Sequence, residues 1–518
     1  MNNNTLKLDR TDWFLLGIPA LAAIILHLIT INEFGYFRDE FYYLACTDHL
    51  TFGYVDQPPL SIFILKLVRM IMGDSLIAIR ILPALTHGIV VFMAGIFAHA
   101  LSGGRFAILL GGLAALAPVG NLFVFHYFSM NSLDILIWQL LIFIVIRIIQ
   151  TDNTRLWLLF GLIAGIGLQN KISILFLGFG LIIGLFLTPL RKQLKDKNLW
   201  LGAAIAGLLF LPYIIWNATH NWPMLEFMHN AKTFKMAAVS QVGFFMGQLL
   251  YNNPLAVIFW MAGLGFLIFH PQGKQYRIFG WMFLAIYILF TIQQAKDYYT
   301  AAIYPILFAA GAVIWERWLK SGWRIWLRPV LILYLILAIG CFVPFVLPIL
   351  SVEKTVAYIQ ASGIQGTAGE NHEMGVLPQH FADMHGWEEM VETVGDVYAD
   401  LSEKEQVNCL IYVRNYGQAG AIDLLGKKYR LPKATCAHNN YWLWGPTNWD
   451  GKVAIILGWS QNVLENLSDL EQRFESVEHA ATFTHPYNMP YESNRHWFIC
   501  RNANFSFTEI WQHEKHYN

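Results

Sequence analysis

Between Tyr36 and Pro59 stand Arg38, Asp39, Glu40, Asp48, His49 and Asp56, set among aromatics and closed by Pro58-Pro59. A carboxylate placed against a hydroxyl acceptor can take its proton. A cation nearby can offset the charge that grows on a departing phosphate. Three later stretches carry the same kinds of group. His126 to Asp134 leads, polar, into an apolar run; Gln169-Asn170-Lys171 divides two apolar runs; Gln293 to Tyr299 includes Lys296-Asp297-Tyr298-Tyr299. With Tyr36, Tyr42, Tyr298 and Tyr299 as a wall for sugar stacking, these parts suit transfer of a sugar from a lipid-phosphate donor. Asp39 is the expected base, with Glu40 positioning the acceptor or a metal.

Each group also has a plainer use. Asp134 can complement the dipole at the start of a helix. Lys171 and Lys296 can reach headgroups as interfacial anchors. His126 reads better as a hydrogen-bonded packing residue than as a metal ligand, and Asp56 as a turn former. Against these stands the cost of ionisable side chains in lipid, which makes them face protein or water and act there.

The elements that must carry these residues follow from composition. Of 518 residues, 56% are hydrophobic, 15% aromatic and 14% charged, against roughly 25% charged in a soluble domain. That pattern predicts a polytopic α-helical membrane protein. Eleven spans are expected, near 13–31, 76–100, 105–120, 131–149, 156–170, 172–190, 199–217, 254–270, 278–295, 299–317 and 329–350. Leu60 to Met72, apolar on one side with Lys66 and Arg69, reads as a helix lying in the interface.

The net charge of zero conceals two units. Residues 351–518 hold 12 Lys+Arg and 21 Asp+Glu, and residues 1–350 hold 23 and 14. A basic membrane domain (1–350) and an acidic, water-soluble α/β domain (351–518) are expected. With the N-terminus in the cytoplasm, 15 of the 23 basic residues of the first unit fall on cytoplasmic ends and loops, as the positive-inside rule requires. Eleven spans then place the Asp39-Glu40 loop and the C-terminal domain together outside the cytoplasm. In that domain, helices at Trp387–Leu401 and 461–474 and strands at Asn408–Val413 and Lys452–Gly458 are expected. Trp442, Trp444 and Trp449 read either as a sugar-facing surface or as core. The five cysteines show no metal spacing and leave one disulfide or free thiols open. No basic patch for nucleic acid is present.

Tyr36–Pro59, the Asp134 helix entry, Gly165 to Lys171 and Lys296-Asp297-Tyr298-Tyr299, in that order, resemble the superfamily of protein O-mannosyltransferases and lipid A aminoarabinose transferases. These are glycosyltransferases of the GT-C fold, and their bacterial branch also resembles the lipopolysaccharide galacturonosyltransferases. Asn415 to Asp423 and Asn439 to Pro446 resemble the outer domain of part of that branch. The resemblance implies inverting transfer from a polyprenyl-phosphate sugar, on the periplasmic face of the bacterial inner membrane, to a glycolipid or, less favoured, a protein. It puts the acidic motif on Asp39-Glu40, the second acidic position on Asp134, and the lipid-phosphate cations on Lys296, Arg38 and Lys171. It leaves a divalent metal open, with no ligands placed. A transporter or lipid-binding protein is the competing class. It predicts inverted halves with paired broken helices, and the sequence shows no such symmetry.

Overall fold

Each of the eleven predicted apolar runs forms a helix in the computed structural model, which describes residues 7–235, 240–363, 373–459 and 462–518. Seven helical segments are long and apolar enough to cross a membrane: Arg10–Leu28, Leu76–Ala100, Met130–Thr151, Lys197–Thr219, Pro271–Gln293, Asp297–Trp318 and Gly322–Phe345. The count among the described residues reaches nine if two bent pairs each form one span. Ile174–Phe186 turns by 115° into Pro189–Lys195, and Gln241–Tyr251 by 88° into Pro254–Phe269. Arg105–Leu116 and Leu156–Leu168 are shorter apolar helices. Leu60–Met72 buries Ile62 and Leu65 and leaves Leu67, Met70 and Ile71 exposed.

Two helix pairs of the bundle approach most closely at their backbones. A Cβ on Gly161 would lie 2.0 Å from the carbonyl oxygen of Gly202, joining Leu156–Leu168 to Lys197–Thr219. A Cβ on Gly263 or Gly311 would lie 1.9 Å from the oxygen of Leu307 or Phe259, joining Val257–Phe269 to Tyr304–Trp318. Lipid gives no hydrophobic drive between helices, so small residues that permit such close approach supply the packing.

The bundle has two polar ends of different character. One gathers Asp9, Asp12, Arg105, Gln150 and Glu316: Arg105 pairs with Asp9 at 2.5 Å, and Glu316 accepts from the Gly104 and Ala107 N–H groups. The other carries helix Arg38–Cys46, the turns at 125–130 and 169–173, and the C-terminal region.

That region holds one mixed sheet of β1 (Leu410–Tyr412), β2 (Ala434–Thr435), β3 (Val453–Leu457), β4 (Phe474–Phe483) and β5 (Arg495–Ala503). The order is β2-β1-β3-β5-β4, with β1 parallel to β2 and β3, and β5 antiparallel to β3 and β4. Helices Trp387–Ala399 and Tyr416–Leu425 cover one face, and their core runs on into Phe41, Tyr42 and Tyr43. The other face buries Tyr412, Ile456, Phe498 and Trp511, with Trp442 and Trp449 packed against it. Those two rings therefore serve the core, while Trp444 stacks on His49 at 4.1 Å.

The helix expected over 461–474 shrinks, within the described residues, to Val463–Glu465 and Ser468–Arg473. Strand β4 follows at once, its alternation hidden because it is largely exposed. All five cysteines are free. Beyond the shared core, the bonds that tie the region to the bundle include the one from the Val55 N–H to Asn440 Oδ1 at 2.7 Å and the Lys515–Glu226 pair at 2.8 Å.

Candidate active site

Helix Arg38–Cys46 starts where Glu40, its third residue, reaches back to accept the Phe37 N–H at 2.9 Å. The same carboxylate accepts the Phe128 N–H at 2.9 Å and two guanidinium bonds from Arg80 at 2.9 and 2.8 Å. Arg80 also donates to the Ile31 and Gly35 carbonyls. Four donors fill the lone pairs of a carboxylate, and Glu40 is 0% exposed. The sequence sets Glu40 in the catalytic acidic motif, to position the acceptor or a metal; the structure instead seals it. It fixes this helix start, the 126–129 turn and helix Leu76–Ala100 to one another.

Arg38 also departs from expectation. Assigned to the donor phosphate, it is buried and turned toward the C-terminal region. Its N–H donates to the Asp383 carbonyl at 3.0 Å, Nη1 donates to the Tyr491 hydroxyl at 2.5 Å, and Nη1 lies 3.8 Å from Asp383 Oδ1. Tyr36 donates to the Asp74 carbonyl at 2.7 Å, and buried Tyr42 donates to Asp56 Oδ1 at 2.9 Å. Neither ring offers the sugar wall assigned to it.

Asp39 differs from its neighbours. Its side chain is 33% exposed, with Oδ1 3.6 Å from Arg38 Nε. The Tyr416 hydroxyl donates to the same oxygen at 2.9 Å.

The second acidic position forms a compact group with the 169–173 turn. The Asn170 amide donates to the Met130 carbonyl at 2.8 Å, which seats the turn on the start of helix Met130–Thr151. Lys171 Nζ then donates to Asn131 Oδ1 at 2.6 Å and lies 3.8 Å from Asp134 Oδ2. The Ser173 hydroxyl donates to Asp134 Oδ1 and accepts from the Trp138 indole at 3.3 Å. Lys171 Nζ sits over the rings of Tyr298 and Tyr299 at 5.3 and 5.4 Å, within cation–π range. A small cleft opens here, lined by Asn131, Asp134, Lys171, Tyr251, Tyr298 and Tyr299 among others.

Burial first, and then the Asp39 carboxylate, push the Tyr127 phenol up. Lys296 is half-buried and precedes the turn Asp297–Ile303, its carbonyl accepting the Tyr299 N–H at 3.1 Å. It adjoins the cleft through that turn and is not one of its lining residues. The structure thus groups Asp134, Lys171, Tyr298 and Tyr299, with Lys296 next to the turn that carries the two tyrosines and Asp39 at the same end of the bundle. Arg38, Glu40, Tyr36 and Tyr42 belong to the scaffold.

Asn131, Ser173, Tyr251 and Tyr416 are site residues to which the sequence reading gave no role. The polar break Tyr251-Asn252-Asn253-Pro254 between apolar helices signalled the third. Nothing local signals the pairing of Tyr416 with a residue 377 positions away. His126 packs beside His27, which in turn bonds His87, but neither ring nitrogen of His126 has a partner, so it is not the hydrogen-bonded residue expected. Among the described residues no three His, Cys, Asp or Glu side chains converge as a metal centre requires.

Residues 56–216 match the family model for dolichyl-phosphate-mannose-protein mannosyltransferase. Lipid A galacturonosyltransferase RgtD of Rhizobium johnstonii is 20% identical over 299 residues, which cover 57% of this chain and 63% of that relative. The crystal structure of ArnT from Cupriavidus metallidurans bound to undecaprenyl phosphate superposes with a TM-score of 0.61 at 14% identity, covering 95% of this chain and 98% of ArnT. Its apo form gives 0.59 at 14% identity, with coverages of 94% and 97%. The mycobacterial arabinofuranosyltransferase AftD gives 0.51 at 11% identity over 96% of this chain and 40% of AftD. The chain has the GT-C membrane fold of these proteins.

Proposed function

We propose that this chain is an inverting membrane glycosyltransferase that moves a sugar from a polyprenyl-phosphate donor to an envelope acceptor, a glycolipid in preference to a protein. The observation that carries the reading is Lys171. It is held by Asn131 and Asp134 over two tyrosine rings, at the same end of the bundle as the part-exposed carboxylate of Asp39. The fold agrees with it, since ArnT was crystallised with undecaprenyl phosphate.

In the reaction the acceptor oxygen forms a bond to the anomeric carbon as the bond from that carbon to the phosphate oxygen breaks. The acceptor proton passes to Asp39. The electron pair leaves on the lipid phosphate, and Lys171, with Lys296 at the rim, offsets that charge. Asp134 and Ser173 hold Lys171 in place, and Tyr298 and Tyr299 offer ring faces to the sugar.

Residues 1–350 form the donor-binding membrane domain in this reading, and 351–518 a domain that stands over the site. The end holding Asp9, Arg105 and Glu316 is cytoplasmic, and the site faces the periplasm across the inner membrane. Reporter fusions after Ser351 and near Lys195 check this: a cytoplasmic signal after Ser351 contradicts it. The activity is tested by mass spectrometry of envelope lipids and glycoproteins from cells with and without the gene. A species heavier by one sugar, present only with the gene, is expected; identical spectra overturn the reading.

A further inference from the structure

Helix Tyr416–Leu425 lies on helix Arg38–Cys46 with almost no side chain between them. A Cβ on Gly420 would stand 2.7 Å from the Phe41 carbonyl oxygen, and one on Gly417 2.5 Å from Arg38 Cγ. Contact at backbone distance fixes how the two helices are set against each other. It brings Tyr416, the first residue of its helix, to Asp39, the second of the other, where the phenol donates to Oδ1 at 2.9 Å. The tyrosine ring is itself fixed. Tyr42 packs on it at 4.7 Å and His438 at 4.7 Å, and His516 stacks on His438 in turn. The Arg38 guanidinium lies 5.8 Å from the same ring.

We infer that Tyr416 is a positioning residue for Asp39, so that the C-terminal region completes the transfer site instead of merely covering it. The inference rests on the reading of Asp39 as the base. A free aspartate on the first turn of a helix samples several rotamers, and a hydrogen bond from a fixed phenol selects one. With Oδ1 held, Oδ2 is left to face the acceptor hydroxyl, and orientation of this kind is a large part of what a site contributes to rate. No bond to Tyr416 forms or breaks. The acceptor proton goes to the carboxylate, and the phenol keeps its own. The absence of side chains at Gly417 and Gly420 has the same purpose, because any Cβ there would lift the tyrosine from the carboxylate.

The experiment uses the full chain in washed membranes that carry their own donor and acceptor, and follows the gene-dependent product by mass. Tyr416→Phe adds no atoms and removes one donor. It is expected to lower kcat roughly tenfold and leave the acceptor KM unchanged. Tyr441→Phe removes a comparable bond, from a buried phenol to Asp423 at 2.9 Å, elsewhere in the same region. It should leave kcat in place, which separates positioning from general loosening. Gly420→Leu should reproduce the Tyr416→Phe loss in kcat with the phenol intact; if that variant does not fold, Tyr416→Phe decides alone. Parent-like kinetics in Tyr416→Phe, with Asp39→Asn slow, overturn this inference only. Near-normal transfer by Asp39→Asn removes the base and this inference with it.

Discussion

The two polar ends of the bundle use ion pairs in opposite ways. At the end with Arg105, the pairs are open to water: Arg105 with Asp9, and Lys192 with Asp152. At the other end the pairs around the site are closed, Arg80 with Glu40, Lys171 with Asp134, and Arg38 with Asp383, while Lys66 with Asp48 and Lys427 with Asp74 lie open farther out. Open pairs gain little over their hydrated parts. Closed pairs cost desolvation that their attraction barely repays, and removing one partner strands the other. A cluster of closed pairs is therefore a weak way to add stability and a strong way to hold geometry. In the proposed reaction that geometry lies where a donor phosphate and an acceptor hydroxyl meet.

Breaking the most deeply closed pair should have the largest effect. Arg80→Met leaves Glu40 buried with two of its four donors gone, and should cost about 3–5 kcal/mol. Thermal melting in detergent measures it. The double variant Arg80→Met, Glu40→Gln should recover much of the loss, because no charge is then stranded. A small loss in the single variant would mean that water reaches Glu40 and the closed-pair account is wrong there.

Lys171→Met comes next. Its closed pair serves charge development, so transfer should fall roughly 10²-fold with the acceptor KM unmoved. Lys296→Ala, outside the lining of the cleft, should weaken donor use by less. If the order of these two is reversed, Lys296 is the main phosphate cation and Lys171 a structural one. Arg105→Ala marks the lower limit: melting temperature and transfer should both stay at parent values. A clear loss would show that the open end also holds geometry.

The helices were legible in the sequence because long apolar runs have few alternatives in a bilayer. The 115° and 88° bends, and the shortness of Arg105–Leu116 and Leu156–Leu168, were not, since hydropathy records composition and not direction. At the site, Asp39, Asp134 and Lys171 stood out as charges at the edges of apolar runs. The opposite fates of Asp39 and Glu40 did not. On a helix, neighbours point about 100° apart, so one can face the cleft and the other the core. Which does which depends on Arg80, forty residues on. The role of Tyr416 depends in the same way on a contact between two remote helices, and its only local trace is the pair Gly417 and Gly420 that lets them touch.

The most direct test of the account is the rate of transfer by Asp39→Asn, an isosteric change that keeps the shape of the carboxylate and removes the base. In washed membranes, with parent and variant present at equal levels and equally folded, the gene-dependent glycosylated product should form roughly 10²-fold more slowly with the variant. Product forming at near the parent rate would contradict the assignment of Asp39 as the base, and with it the site described for this fold.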